Sequence, residues 1–290
     1  MKKKILFIIN PFSGTGKQRG IEQLILQKLA HSIFEHEITY TKAPGHATEL
    51  ARNAVAGNFD IVAAIGGDGL LNEVGRGLTG TNSAMAILPA GSGNGFAHHL
   101  KIPMNLKDAM EVINKGKIIS IDTVRINNGS YIGIAGVGLD AHIAWEFAHL
   151  GKRGFGSYFK VFLREYPAYK PQEYTIVLDG KTITRKALLV SFANSSQYGN
   201  NAVIAPGADM QDGVIEVCIL KDFPFISFPR LAWQLFNKGI HRSKYLEILK
   251  AKEIIIKQTA DIAHIDGEPV IPGKELRLNI NPLSLKIVTP

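Results

Sequence analysis

The stretch DIVAAIGGDGLLNEV, Asp60 to Val74, decides how the chain reads. It opens as an unbroken apolar run, stops at two glycines, an aspartate and a third glycine, then resumes with helical spacing. A short run that is apolar throughout and closed by glycine predicts a strand buried on both faces, as in a parallel sheet. The glycines allow backbone N–H groups to come close to a ligand, and Asp68 stands where it could accept a proton or order magnesium. Glu73 is expected on the first turn of the helix that follows.

The neighbouring segments repeat this plan. Ile5–Ile9 predicts a strand, IEQLILQKLA a helix, EHEITYTKA a strand, and HATELARNAVAGN a helix closed by Gly57. AMAILPAG predicts a fourth strand, NGFAHHL and LKDAMEVINKG further helices. Strands alternating with helices argue for a parallel sheet covered on both faces, with ligands at the carboxyl ends of its strands. The fourth strand ends at LPAGSGNGFA, Leu88 to Ala97, where Ser92 supplies a hydroxyl and Asn94 can cap the next helix. The first strand runs into ILFIINPFSGTGKQRG, which imitates a Walker loop without being one. Pro11 stands where the first glycine belongs, and Gln18 replaces the hydroxyl that would hold magnesium. The phosphate cradle is therefore expected to be shared by three turns: NPFSG, GGDG and PAGSGN.

From about Ile118 the pattern turns to strands separated by turns. LDGK and INNGSY signal hairpins. One helical interruption is expected from about Ala141 to Arg164 and another over PRLAWQLFNKG. The second part is thus mostly β.

The 290 residues are 46% hydrophobic and 20% charged, an ordinary globular balance, with net charge +8. The excess cations favour an anionic partner, but they are scattered and no aromatic-interleaved RNA motif is present, so nucleic acid is not expected. The single cysteine, Cys218 in VIEVCIL, reads as a buried strand residue and suits a reducing cytoplasm. The start MKKKILFIINPF imitates a signal peptide, but its apolar run is too short. No segment is long and apolar enough to span a bilayer, so membrane contact is expected to be peripheral.

GGDGLLNEV followed by PAGSGNGFA resembles the catalytic domain of the diacylglycerol kinase superfamily, which includes bacterial lipid kinases and sphingosine kinases. The resemblance extends over NPFSG, TKAPGHATELA (Thr41–Ala51), GVGLDA (Gly136–Ala141), IAPGADMQDGVIEV (Ile204–Val217) and HIDGEPV (His264–Val270). It implies a nucleotide-binding α/β domain over residues 1–120, completed by about 281–290, and a lipid-binding β-sandwich domain over 121–280. It also implies ATP, Mg2+ and a lipid hydroxyl as acceptor.

Carried over, the resemblance assigns the nucleotide to Asn10, Pro11, Phe12, Ser13, Gly14, Thr41, Gly66, Gly67, Asp68, Gly69, Leu70, Leu71, Asn72, Glu73, Gly91 and Ser92. Asp266 and Glu268 would face the γ-phosphate across a cleft, and one of them, or Asp68, takes the acceptor's proton. Asp209, Asp212 and the backbone near Val214 resemble a structural magnesium loop. Lys152 or Arg153 would reach the phosphates. Leu70 and Gly95 depart from the bacterial pattern, and Leu70, Ser92 and PAGSGN are closer to that of sphingosine kinases, in which an aspartate matching Asp140 meets the lipid head. The acceptor is thus diacylglycerol, a sphingoid base or a related lipid. A homodimer acting in the cytoplasm, peripherally at the anionic inner face of the membrane, is the expected setting. Two other readings stand beside this one: an NAD kinase-like phosphotransferase, which shares the GGDG turn, and a catalytically weak nucleotide- or lipid-binding regulator. His98, His99, His142 and His149 carry no third ligand and read as surface or core residues.

Overall fold

The computed structural model describes residues 2–12, 20–149 and 155–290. They form two compact units, Met1–Ile121 with Leu283–Pro290, and Asp122–Pro282.

In the first unit β1 (Lys3–Ile9), α1 (Ile21–Lys28), β2 (Phe34–Tyr40), α2 (His46–Ala56), β3 (Ile61–Gly66), α3 (Asp68–Leu78), β4 (Ala84–Pro89), α4 (Gly95–His99) and α5 (Leu106–Lys115) alternate along the chain. The sheet order is β2-β1-β3-β4, all parallel. Every residue of β3 and β4 is buried, which is why both read as unbroken apolar runs. The end of the last strand adds a fifth parallel member, pairing Lys286 with Ala84 and Ile287 with Met85. Helices α2 and α3 pack closely because Gly77 has no side chain. A β-carbon there would lie 2.6 Å from Ala51 Cβ and 2.8 Å from Thr48 O.

A long strand, β5 (Lys117–Ile126), leads into the second unit. There follow β6 (Gly129–Tyr131), β7 (Ile134–Gly138), α6 (Leu139–His149), α7 (Phe155–Glu165), β8 (Gln172–Leu178), β9 (Lys181–Ala187), β10 (Leu189–Ala193) and β11 (Ile215–Leu220). The chain continues through α8 (Phe228–Phe236), β12 (Leu246–Ala251), β13 (Glu253–Lys257), β14 (Ala263–Ile265), β15 (Glu268–Val270) and β16 (Glu275–Thr289). One antiparallel sheet runs β12-β11-β10-β7-β14-β15, and β16-β13-β8-β9 pair in another. Their facing residues, among them Tyr131, Tyr174, Phe192, Val217, Ile256 and Leu276, form one buried core between the sheets. This is a β-sandwich. The outer strand β9 carries Lys181, Arg185 and Lys186, charges that discourage edge pairing.

Two expectations are corrected here. The helical stretch expected over Ala141–Arg164 is two helices, α6 and α7, and 150–154 lie outside the described residues. Glu73 lies in the second turn of α3, because the helix already begins at Asp68.

Candidate active site

The parallel register brings the ends of four strands into one row. Ile9 pairs with Tyr40 and with Ile65, and Gly66 pairs with Pro89. Backbone bonds continue the row by one step: Thr41 N–H donates to Ile9 O, Asn10 N–H to Ile65 O and Ala90 N–H to Gly66 O. Asn10, Thr41, Gly66–Gly67 and Ala90–Gly91 are therefore neighbours along the carboxyl edge of the sheet. Ser13, Gly14, Lys152 and Arg153 lie outside the described residues. Phe12 is exposed, and its N–H donates to Asn10 Oδ1 at 2.9 Å, which closes the first turn.

The GGDG and PAGSGN turns touch. A β-carbon on Gly91 would overlap Gly67 Cα and lie 2.7 Å from Asn94 Oδ1. Helix α3 starts at this contact with Gly67 as its N-cap and no side-chain cap. Its first N–H groups have no partner within the helix, and with the positive end of the helix they suit an anion. Ser92, which follows Gly91 in the PAGSGN turn, is exposed. Leu70, Leu71 and Asn72 are buried on α3, and Leu70 packs over Gly66, where a β-carbon would come within 2.6 Å of Leu70 Cδ2.

Asn94 does not cap α4. It adopts a left-handed conformation (φ 48°) that turns its side chain back on the preceding loop. Its Oδ1 accepts from Gly91 N–H and its Nδ2 donates to Gly91 O, both at 2.9 Å. The cap comes from Asp68, whose carboxylate accepts from Gly95 N–H at 3.0 Å and Phe96 N–H at 3.2 Å. Burial pushes the Asp68 carboxyl up, against the opposing pull of those two N–H groups. Glu73 performs the same service for α2, whose own N-cap is Gly45. Glu73 Oε1 accepts from Gly45 N–H at 2.8 Å and Oε2 from Ala47 N–H at 3.1 Å. Two carboxylates on α3 thus fix the loops that begin α2 and α4.

In the second unit, Asp266 and Gly267 both have positive φ (49° and 81°) and form the turn between β14 and β15. Such a two-residue Asp-Gly hairpin turn suits strand twist. The Asp266 carboxylate folds back on the chain before β7. It accepts from Gly133 N–H at 3.1 Å, Ile134 N–H at 2.8 Å and Ile132 N–H at 3.4 Å. Glu268 is exposed at the start of β15.

Asp140, near the start of α6, is 5% exposed. Its Oδ2 accepts from Ser191 Oγ at 3.0 Å and Tyr198 Oη at 3.4 Å and meets His264 Nε2 at 3.1 Å. Gly136 leaves room for this pair, since a β-carbon there would overlap Asp140 Oδ2. Burial, and then the charge of Asp140, push the Tyr169 hydroxyl up to about 12. Ser191, Tyr198 and His264 were not foreseen. His264 stands two places before Asp266 in HIDGEPV, but nothing in that string points it at Asp140.

Asp209 Oδ1 accepts from Gln211 N–H and Asp212 Oδ1 from Val214 N–H. Asp212 Oδ2 pairs with Lys250 Nζ at 3.1 Å, and Lys250 lies 3.6 Å from the buried Glu216. Among the described residues no three His, Cys, Asp or Glu side chains converge as metal ligands. His142 pairs with Glu165 and does not share a site with His149. Cys218 is buried in β11, where burial raises its thiol well above the usual range.

A parallel sheet with glycine turns at its carboxyl edge suits an anionic ligand, and an antiparallel sandwich with an Asp-Gly-Glu hairpin follows it in the chain. Residues 4–126 match the family described as the diacylglycerol kinase catalytic domain, and residues 133–289 match the YegS C-terminal NAD kinase beta sandwich-like domain. A diacylglycerol kinase of Bacillus subtilis (strain 168) is 28% identical over 285 residues, 95% of this chain and 94% of the relative. One from Staphylococcus saprophyticus is 27% identical over 299 residues, 100% and 96% of the two chains. The fold is also that of a solved diacylglycerol kinase from Bacillus anthracis str. Sterne, with TM-score 0.74 at 19% identity, over 99% of this chain and 97% of the other. The chain belongs to the diacylglycerol kinase catalytic-domain family and is an ATP-dependent lipid kinase, a phosphotransferase with an alcohol group as acceptor.

Proposed function

We propose that the acceptor is the free hydroxyl of diacylglycerol, and that the nucleotide lies along the carboxyl edge of the first unit's sheet. The alignment of Asn10, Thr41, Gly66–Gly67 and Ala90–Gly91 carries the nucleotide assignment. The names borne by the relatives favour diacylglycerol over a sphingoid base. So does the state of Asp140, whose Oδ2 is already met by Ser191, Tyr198 and His264. In this reading Asp140 orients those groups on the acceptor side and does not itself meet an ammonium.

Phosphoryl transfer needs an aligned hydroxyl, neutralised phosphate charge and a carboxylate to take the proton. Asp68, Asp266 and Glu268 are the candidates for that carboxylate. Asp68 and Asp266 are held rigidly by backbone N–H groups, which fixes their direction. Mg2+ bound with ATP supplies the charge neutralisation.

We further read the loop of Asp209, Asp212 and the backbone near Val214 as the seat of a structural Mg2+. Glu216 supports it: its buried Oε2 has no hydrogen-bond partner among the described residues, and burial raises its carboxyl. Among the described residues Lys250 is the cation paired with Asp212 and Glu216, one positive charge against two carboxyl groups. A lipid acceptor lies in a membrane, and we read the kinase as acting peripherally at the cytoplasmic face. No described helix is long and apolar enough to cross one.

The test is a phosphorylation screen with labelled ATP against diacylglycerol, monoacylglycerol, ceramide, a sphingoid base and NAD. Diacylglycerol is expected to be the preferred acceptor. Preference for the sphingoid base or for NAD overturns the assignment.

A further inference from the structure

The second unit exposes large apolar side chains on adjoining elements. A short 3-10 helix, Phe225–Ser227, runs directly into α8. Ile226 is 89% exposed, Trp233 65% and Phe225 59%, and Phe236 at the end of α8 is also exposed. Helical spacing sets Ile226, Arg230, Trp233 and Asn237 on one outward stripe, while Leu231 and Gln234 turn inward. The Phe228 ring stacks on Phe225, and on Phe159 and Phe162 of α7 at 6.2 and 5.1 Å. These contacts join the stripe to α7, where Phe159 and Leu163 are exposed. Single exposed apolar residues are ordinary, but a contiguous group of this size marks a contact surface.

The formal charge within the segment itself has one sign. Residues 223–246 contain Arg230, Lys238, Arg242 and Lys244 and no Asp or Glu. All four cations are exposed. The nearby acids are Asp222 before the segment and Glu247 after it, and Glu247 is engaged by Arg185 and Lys221. On α7, Glu165 is engaged by Arg164 and His142.

We propose that this face, with Phe225, Ile226 and Trp233 as anchors and Arg230, Lys238, Arg242 and Lys244 around them, seats on an anionic lipid bilayer. The proposal rests on the reading that the acceptor is a membrane glycerolipid. Aromatic and aliphatic side chains enter the headgroup boundary while basic residues meet anionic lipid. A second copy fits less well. A two-fold contact would set Arg230 and its basic neighbours against their own kind.

The experiment uses the full chain carrying Trp145→Phe, which leaves Trp233 as the only tryptophan. Vesicles of phosphatidylcholine with phosphatidylglycerol are expected to blue-shift its emission, and vesicles of phosphatidylcholine alone to do so much less. In the full chain otherwise unchanged, the double variant Ile226→Ser with Trp233→Ser is expected to cosediment with the anionic vesicles at least about tenfold more weakly. Its melting temperature, and its phosphorylation of diacylglycerol in detergent micelles, should stay parental. Absence of the blue shift, or vesicle binding by the variant equal to the parent, overturns the proposal. So does a variant that loses self-association in sedimentation velocity while still binding vesicles. A parent that ignores micellar diacylglycerol removes the acceptor reading instead, and the vesicle measurements still judge this face.

Discussion

Gly67 and Gly91 lie in direct contact, and a β-carbon on Gly91 would overlap Gly67 Cα. Neither turn can accept a side chain towards the other without moving. Gly91→Ala is therefore expected to displace the PAGSGN turn, lower stability by about 1–3 kcal/mol and raise the KM for ATP. Gly67→Asp adds a negative charge beside the start of α3 and should abolish nucleotide binding with the fold retained. Calorimetric ATP titration beside circular dichroism decides. Normal ATP binding by Gly67→Asp would put the nucleotide elsewhere.

Glu73 holds the start of α2 through two backbone N–H groups. Glu73→Ala removes a charged cap, and the expected loss is about 1–2 kcal/mol of stability. Denaturant unfolding measures it. Hydrogen exchange should quicken first at Gly45 and Ala47. An unchanged exchange rate there would contradict the capping role.

Asp140→Asn separates the two acceptor readings. If Asp140 met an ammonium, removing its charge would cost an amino lipid about 3–5 kcal/mol. For diacylglycerol the change touches hydrogen bonds worth about 1 kcal/mol each. The expected outcome is a modest fall in kcat/KM for diacylglycerol and no selective collapse with a sphingoid base. A large loss confined to the amino lipid would reverse the assignment.

Glu247 is gripped by Arg185 at 2.9 Å and Lys221 at 3.0 Å, and its hydrogen bonds to Arg185 foremost hold its carboxyl down to about 2. A folded-state value below the unfolded one means the stabilisation is present above the ordinary glutamate range and disappears as pH falls towards about 2. Arg185 and Lys221 are partly exposed, so screening reduces the contribution to about 1 kcal/mol. Glu247→Gln should be less stable than the parent at neutral pH and equal to it near pH 2. Parallel unfolding curves across that range provide the check.

Asp212→Ala is expected to blunt the rise in melting temperature that Mg2+ gives the parent, while ATP affinity changes little. Identical Mg2+ titrations of both proteins by thermal denaturation would remove the structural-metal assignment.

Much of this molecule is written locally. The buried runs IVAAIG and AMAILP could only be interior parallel strands, because no alternation offers water a polar face. Glycine after each strand announced a backbone-lined edge, and Asp266-Gly267 is a turn that short-range sterics dictate. Partners distant in sequence were not legible. Asn94 had the composition of a helix cap, but its left-handed backbone aims it at Gly91, and the capping falls to Asp68 from another turn. Glu73 read as a supporting polar contact, but only packing shows that what it supports is the start of α2. The resemblance set Asp140 against the lipid head, but its partners Ser191, Tyr198 and His264 come from distant strands and loops and surround it only in the folded sandwich. Strand, helix and turn follow from interactions within a few residues, which sequence spacing records. The direction of a carboxylate follows from which donors the folded sheets bring within 3 Å or so, and spacing along the chain carries no record of that.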